Sequence, residues 1–560
     1  MLATLLAWIY ISFLCWTWGI LLLQLTRRIT KTELVLPHFS IICITGLAGI
    51  TIFAGVLSLF IPLGGWWVQF LFIIPGLAVF FIKNVPYFFS SLKKEFSLLH
   101  LPSLILLSSL LLLLLVMSSW VIVHPDTLGY HAQTMQWIEK YKAVPGLVHL
   151  HVRFGYQGLW FVDCALFDFS FTGSQGITFL NSTVLFWFFI FIINRIDDNF
   201  FKGQEKIVGL LWFTLLSLSL WSYTQVRLTA TSASPDFIAT IFVLSVIYLL
   251  IKKRSKHVYG SDWLLASLLS TVAVTIKLSV APILLIAAVA SLLLLRIKKI
   301  RPFFLLLLIL ILAFSGFVAR NIITSGYLIF PDTTIDIANT DWKYSRQLTD
   351  QEKNYITAYA KKQGVVTKEE IDSVNQMTAG EWLPSWWKNR SLADKTIITL
   401  FILSLLTALL FFKKIIHSGF IHLLLLVTML SGIIFWFINA PDPRFGFGFI
   451  LGFISLIAYL ILKVKKITIS NNIVTAIFII SVFLTLSYTF YRFKNFFSAD
   501  QLIAPLGIPA SEYKTFECNG MKVNTPIKAE FGVTPVPCTD LGCEHFYPRG
   551  NKIDDGFRAK

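Results

Sequence analysis

His124, Pro125 and Asp126 stand side by side where a long apolar run gives out, with Tyr130 and His131 about one helical turn further on. Such a place sets a carboxylate at the boundary of lipid and water, and carboxylates and imidazoles are the groups of general acid–base chemistry. Asp126 also fits the N-cap of the helix that follows, a role compatible with the first. Ser234, Pro235 and Asp236 precede another apolar run, and read equally well as a helix start with Pro in the first turn and an acid near the dipole. Lys277 sits inside an apolar hairpin, at a cost of roughly 2.5 to 3.5 kcal/mol unless it snorkels to the interface or finds a partner, for which a lipid phosphate would serve. Arg320 and Asn321 end one apolar run, and Asp442 and Arg444 occupy the short segment NAPDPRFGFGF. A single outer arginine is ordinarily an anchor. Several converging on one mouth make an anion site, because a guanidinium pairs bidentately with phosphate.

The elements that must position these residues are membrane helices. Of the 560 residues 56% are hydrophobic and 14% charged, and the mean hydropathy is +0.73, values foreign to a water-soluble domain of this size. The net charge of +17 lies in short clusters between apolar runs, which reads as a topology signal and not as a nucleic-acid surface. Apolar stretches of spanning length begin near residues 3, 38, 65, 101, 176, 207, 236, 262, 278, 303, 396, 418, 445 and 472, about 14 in all, and Lys277 with Pro282 divides the run from 262 to 295. Basic clusters at Arg27, Arg28 and Lys31; Lys93 and Lys94; Arg195, Lys202 and Lys206; and Lys252, Lys253, Arg254 and Lys256 then fall in alternate loops. So do Arg296, Lys298, Lys299 and Arg301; Lys413 and Lys414; and Lys463, Lys465 and Lys466, which places both termini outside. The first run begins at Met1 without a basic n-region and reads as a retained helix.

Three long segments are then outer: 124–175, 321–395 and the tail 491–560. Spacing predicts an interfacial helix over 128–141 and a second short amphipathic helix over 156–167, while 332–394, with WLPSWWKNR near its end, reads as interfacial with aromatic anchoring. No CxxC pair or His/Cys cluster suggests a metal or redox motif. Cys518, Cys538 and Cys543 permit one disulfide in three pairings. The tail reads equally as a cover for the mouth of a site and as a stability cap.

An Asp opening the first long outer loop, followed by a Tyr and an amphipathic juxtamembrane helix, resembles the GT-C glycosyltransferases, multi-pass enzymes that take a sugar from a polyprenyl-phosphate carrier. Pro235–Asp236, Ile276–Lys277 for a Thr-Lys element, Arg320–Asn321 with Gly326 and Pro331, and Arg444 before an aromatic follow in the family's order over residues 101–464. The double-acid hallmark is present only as the single Asp126. The resemblance implies an all-α, GT-C-like bundle with outer interfacial helices and a small outer tail. Residues 1–100 would be accessory helices, 101–464 the core with outer loops 124–175 and 321–395, 465–490 the last span, and 491–560 the tail. VPGLVHLHVRFGYQGLWF and the closing RG...DGF tail also resemble an uncharacterised group of bacterial membrane proteins.

The resemblance further implies an inverting, metal-independent transfer on the periplasmic face of the inner membrane, from a polyprenyl-phosphate sugar to a glycan or protein acceptor, with membrane lipids around it and no nucleic acid. Asp126 would be the base. Lys277, Arg320 and Arg444 would hold the departing phosphate, and Tyr130, His131, Arg153, Gln157 and Asp236 the sugar and acceptor. No cofactor is implied beyond the lipid-linked sugar as substrate; a divalent ion between Asp126 and Asp236 is the alternative to purely basic neutralisation. The rival class is a transporter or flippase of a lipid-linked or anionic substrate, which also uses ionisable residues near its mouth. A third reading is a non-catalytic assembly factor with a GT-C-like core.

Overall fold

Apolar runs leave the backbone only one way to satisfy its polar groups in lipid, and the computed structural model accordingly resolves into helices. It describes all residues except 32–36, 82–98, 174, 201–205, 253–257, 259, 466–470 and 529. Lys93, Lys94, Lys202, Lys253, Arg254, Lys256 and Lys466 of the basic clusters thus lie outside the described residues. Among the described residues nine helices are long and apolar enough to cross a membrane: Leu2–Thr30, Phe39–Leu57, Leu101–Ser118, Phe179–Phe200, Leu278–Arg296, Ile300–Ser325, Leu392–Leu410, Phe420–Asn439 and Pro443–Leu462. Shorter apolar helices run over Val68–Phe81, Leu211–Trp221, Asp236–Ile251 and Ser261–Ile276. The chain is a multi-pass, all-α membrane protein in its body, with strands, among the described residues, confined to the tail.

The first helices are packed into the core rather than beside it. Gly19 and Gly46 let the helices Leu2–Thr30 and Phe39–Leu57 touch backbone to backbone; a Cβ on Gly46 would stand 1.7 Å from the Cys15 carbonyl oxygen. Trp8 Nε1 donates to Ser182 Oγ at 2.8 Å, and Trp187 Nε1 to Ser12 Oγ at 2.8 Å, tying the first helix to Phe179–Phe200. Thr51 Oγ1 donates to Asp163 Oδ2 at 2.6 Å. Asp163 belongs to Leu159–Leu166, whose eight residues are all buried. The interfacial helix expected over 156–167 is therefore an inserted core helix, because Thr51 answers its one acid.

The three long polar segments gather at one end of the bundle. The loop after Leu101–Ser118 is bridged to the tail by Ile122 N–H donating to the Gly507 carbonyl at 2.9 Å, and Gln133 Nε2 donates to the Thr534 carbonyl at 2.7 Å. The helix expected over 128–141 is present as a π-turn, Thr127–His131, running into Ala132–Lys140. The segment 332–394 folds into three short helices, Arg346–Lys361, Lys368–Gln376 and Ala379–Lys388. Trp382 and Trp386 turn inward and are buried, leaving Trp387 as the exposed anchor.

The tail forms two antiparallel pairs, Tyr513–Cys518 with Met521–Pro526 and Phe546–Pro548 with Phe557–Ala559. Of the three pairings open in the sequence, Cys518–Cys543 is the disulfide, and Cys538 is a buried thiol facing Gln133 Oε1 at 2.8 Å. Phe531, Phe546 and Phe557 share a core with Trp137, Val144, Leu147 and Phe154. The tail thus props the rear of the loop 124–175.

Candidate functional site

Asp126 begins the π-turn, but its side chain caps nothing. His124 takes that duty: its Nδ1 accepts from the Thr127 backbone N–H at 3.2 Å. The N-cap reading of Asp126 is thereby corrected, and the carboxylate is left for other partners. It points toward two arginines from distant parts of the chain, Arg444 Nη1 at 3.2 Å from Oδ2 and Arg153 Nη1 at 3.8 Å from Oδ1. Burial alone would raise the Asp126 carboxyl, yet Arg444, with Arg153, outweighs it and holds the group well below the usual carboxylate range.

Asp236 opens the helix Asp236–Lys252, after a turn in which Ser232 and Ser234 hydroxyls accept backbone N–H groups. Its carboxylate pairs with Lys277 and lies 3.7 Å from Arg444 Nε. Lys277 is where the run from 262 to 295 breaks: Ser261–Ile276 ends, Lys277 is extended (φ −152°, ψ 121°), and the 3-10 turn Leu278–Ile283 leads on. Its ammonium also stands 4.2 Å from the centre of the Phe445 ring. The costly lysine of the apolar hairpin has found an acid and an aromatic face instead of snorkelling. Arg444 is the hub, lying 3.8 Å from Asp442 Oδ1 as well as beside Asp126 and Asp236.

Arg153 lies over Tyr130 and Tyr355, each ring centre 5.6 Å from its Cζ. Burial opposes its charge, but Tyr130, Glu352 and Asp126 raise its pKa above the ordinary arginine value. Tyr130 is itself pushed up, by burial first and then by Asp126. His131 packs against Phe161 with ring centres 4.8 Å apart and shares a hydrogen bond with Thr127 Oγ1 at 3.0 Å. Burial and the neighbouring His124 lower it to about 3, so it is neutral.

Arg320 and Gln157 meet each other instead of this cluster. Arg320 is 2% exposed, its Nε and Nη2 donate to Gln157 Oε1 at 3.1 and 2.7 Å, and its Nη1 donates to Ser58 Oγ at 2.9 Å. Gln157 Nε2 in turn donates to the Phe154 carbonyl at 2.7 Å. Asn321 holds the loop of the Arg320–Pro331 element, its Oδ1 accepting from Phe330 N–H at 3.2 Å.

The helix Arg346–Lys361 roofs the cluster. Glu352 accepts the Tyr156 hydroxyl at 2.5 Å and lies 3.8 Å from Arg153 Nε, while Tyr355 stacks on Arg153 and Tyr359 comes within electrostatic reach of Arg444 and Asp126. On the other flank Arg390 Nη1 pairs with Asp442 Oδ2 at 3.4 Å. Sequence reading missed Glu352, Tyr355, Tyr359 and Arg390, all from a polar stretch with no charge stranded in an apolar run to betray them.

The arrangement is an ionised, partly exposed carboxylate in a net of cations, at the end of a membrane bundle and under a polar roof. Against known proteins, a family model described as domain of unknown function (DUF8201) matches residues 1–451. The chain belongs to that family. Its match takes in the first three helices together with Asp126, Asp236, Lys277 and Arg444. No curated protein and no solved structure matches the chain.

Proposed function

We propose that this protein is a membrane glycosyltransferase of about 14 spans that moves a sugar from a polyprenyl-phosphate carrier to an acceptor hydroxyl on the outer side of the membrane. The observation that carries the reading is Asp126, an ionised carboxylate 28% exposed, beside Arg444 and one contact away from the Lys277–Asp236 pair. Asp126 takes the acceptor's proton while the hydroxyl oxygen attacks the anomeric carbon and the carbon–oxygen bond to the lipid phosphate breaks. Arg444 and Lys277 stabilise the charge growing on that phosphate. In the resting arrangement Asp126 is a weak base because Arg444 stabilises its ionised form. A donor phosphate that draws Arg444 to itself restores that basicity, so donor binding switches the base on. Tyr130, Arg153 and the roof residues Glu352 and Tyr355 line the acceptor side.

One feature favours transport as the second reading: a helix interrupted at Lys277 with an ion pair at the break is a common device of transporters. The deciding test is Asp126→Asn in cells, scored by polyprenyl-phosphate-linked sugar and by the surface-glycan profile. Transfer predicts that the donor accumulates and a glycan modification disappears. Unchanged donor and glycans would remove Asp126 from catalysis and move the weight to transport or to an assembly role.

A further inference from the structure

Two buried hydrogen-bond donors in the site have no acceptor among the described protein atoms. One is His124 Nε2. The ring is 1% exposed, and its Nδ1 is committed as acceptor to the Thr127 backbone N–H at 3.2 Å. The proton of the neutral ring therefore sits on Nε2, and that N–H reaches no partner. Burial keeps the ring neutral against the pull of Asp126 and Asp236. The second is Arg444 Nε, which is buried without a hydrogen bond; its nearest carboxylates, Asp236 and Asp442, lie at 3.7 and 3.8 Å, beyond bonding distance. Both donors flank Asp126: His124 stands two residues before it in the chain, and Arg444 Nη1 lies 3.2 Å from its Oδ2.

A buried donor left unpaired costs about 1–3 kcal/mol, so a bound group that brought an acceptor to both would be favoured. The missing partner must be rich in acceptors, must offer oxygens to a neutral and a charged donor at once, and must draw a guanidinium away from carboxylates. A tetrahedral phosphate meets all three conditions.

We propose that His124 Nε2–H and Arg444 Nε–H form an oxyanion site for a phosphate group, His124 serving as a neutral donor whose tautomer is fixed by Thr127. The inference rests on the transferase reading only for the origin of that phosphate in a lipid headgroup. A neutral donor suits a place already crowded with carboxylates: it binds the anion without needing another counter-charge of its own.

Two substitutions separate the halves of the imidazole. Asparagine places an amide oxygen near the position of Nδ1 and keeps the Thr127 cap while losing the far donor. Glutamine places an amide nitrogen near the position of Nε2 and keeps the donor while losing the cap. The measurement is binding of farnesyl monophosphate to the purified full chain, with farnesol as the phosphate-free control and inorganic phosphate as the lipid-free one. His124→Asn is expected to weaken farnesyl monophosphate about ten-fold or more, the loss of one hydrogen bond to a charged acceptor, with His124→Gln close to wild type. Inorganic phosphate bound with the same dependence on His124 identifies a site for phosphate at large; failure of inorganic phosphate alone identifies a lipid headgroup site. Wild-type affinity in His124→Asn, or no binding of either phosphate to the wild type, overturns the proposal. The two readings fail separately. Donor accumulation in Asp126→Asn with full phosphate affinity in His124→Asn removes the oxyanion site alone, whereas His124-dependent phosphate binding without any donor or glycan change in Asp126→Asn removes transfer alone.

Discussion

Replacing Arg444 by Gln removes one guanidinium from contact with Asp126, Asp236 and Asp442, at 3.2, 3.7 and 3.8 Å. Opposite charges about 4 Å apart attract by about 4 kcal/mol at the effective dielectric near a protein surface, and much of this is offset by desolvation. Removing one partner of a buried pair costs about 3–5 kcal/mol because it strands the other. With Arg444 and Asp126 side chains 17% and 28% exposed, water shares the load and the low end applies, about 3 kcal/mol. In a chain of this length that lowers the melting temperature in detergent by about 2–3 °C. The pH dependence carries more information. In the wild type the Asp126 carboxyl is held below its ordinary 3.8, so its contribution is complete at neutral pH and is lost only as pH falls through the lowered value. Without Arg444 burial dominates and the carboxyl rises above its ordinary value. The penalty then grows with pH, and the deficit is larger near about pH 8 than near about pH 5. Adding Asp126→Asn returns part of the loss, with a coupling of about 1 kcal/mol or more. Parallel melting curves at both pH values, or strict additivity of the two substitutions, would refute Arg444 as the hub.

Other outcomes are equally concrete. Burial raises Asp168 to about 7, partly offset by its hydrogen bond from Glu139, so the stability of this acid pair is complete at low pH and is lost as pH rises through about 7; Asp168→Asn should flatten that fall in a melting series. Reducing Cys518–Cys543, 25 residues apart, should cost the tail about 3–4 kcal/mol and open it to protease, while alkylation of the unfolded, unreduced chain should mark four of the six cysteines. Glu352→Ala should speed hydrogen exchange across Arg346–Lys361 about ten-fold and Glu352→Gln much less, because Gln keeps an acceptor for Tyr156. Gly46→Val should prevent the first two helices from closing on each other, read as loss of folded protein on size exclusion.

What could be read from sequence was what lipid makes expensive. Asp126, Asp236, Lys277 and Arg444 each interrupt or end an apolar run, and their cost singled them out separately before the fold brought them into contact. The break at Lys277 was legible for the same reason. The roof was not: in a polar segment Glu352 and Tyr355 cost nothing, and only tertiary packing sets them over Arg153. Arg320 misled for the opposite reason, since a charge at a helix end signals a partner without naming it, and Gln157 and Ser58 proved to be the partners. Cysteine pairing and the tail's strands depend on contacts that no local pattern encodes.

The tail's grip on the loop 124–175 has a consequence for how the molecule is made. Gln133 and Thr534 are 401 residues apart, and the aromatic core beneath Trp137 is filled by Phe531, Phe546 and Phe557. During synthesis the loop bearing Asp126 is made long before those residues, and it must wait, half-supported, until they are added. A chain stalled or cut before residue 531 would sit in the bilayer with its helices in place and the loop bearing Asp126 unfinished. Residues 531–557 thus close the support of the Asp126 loop, and fragments lacking them would carry that loop loose.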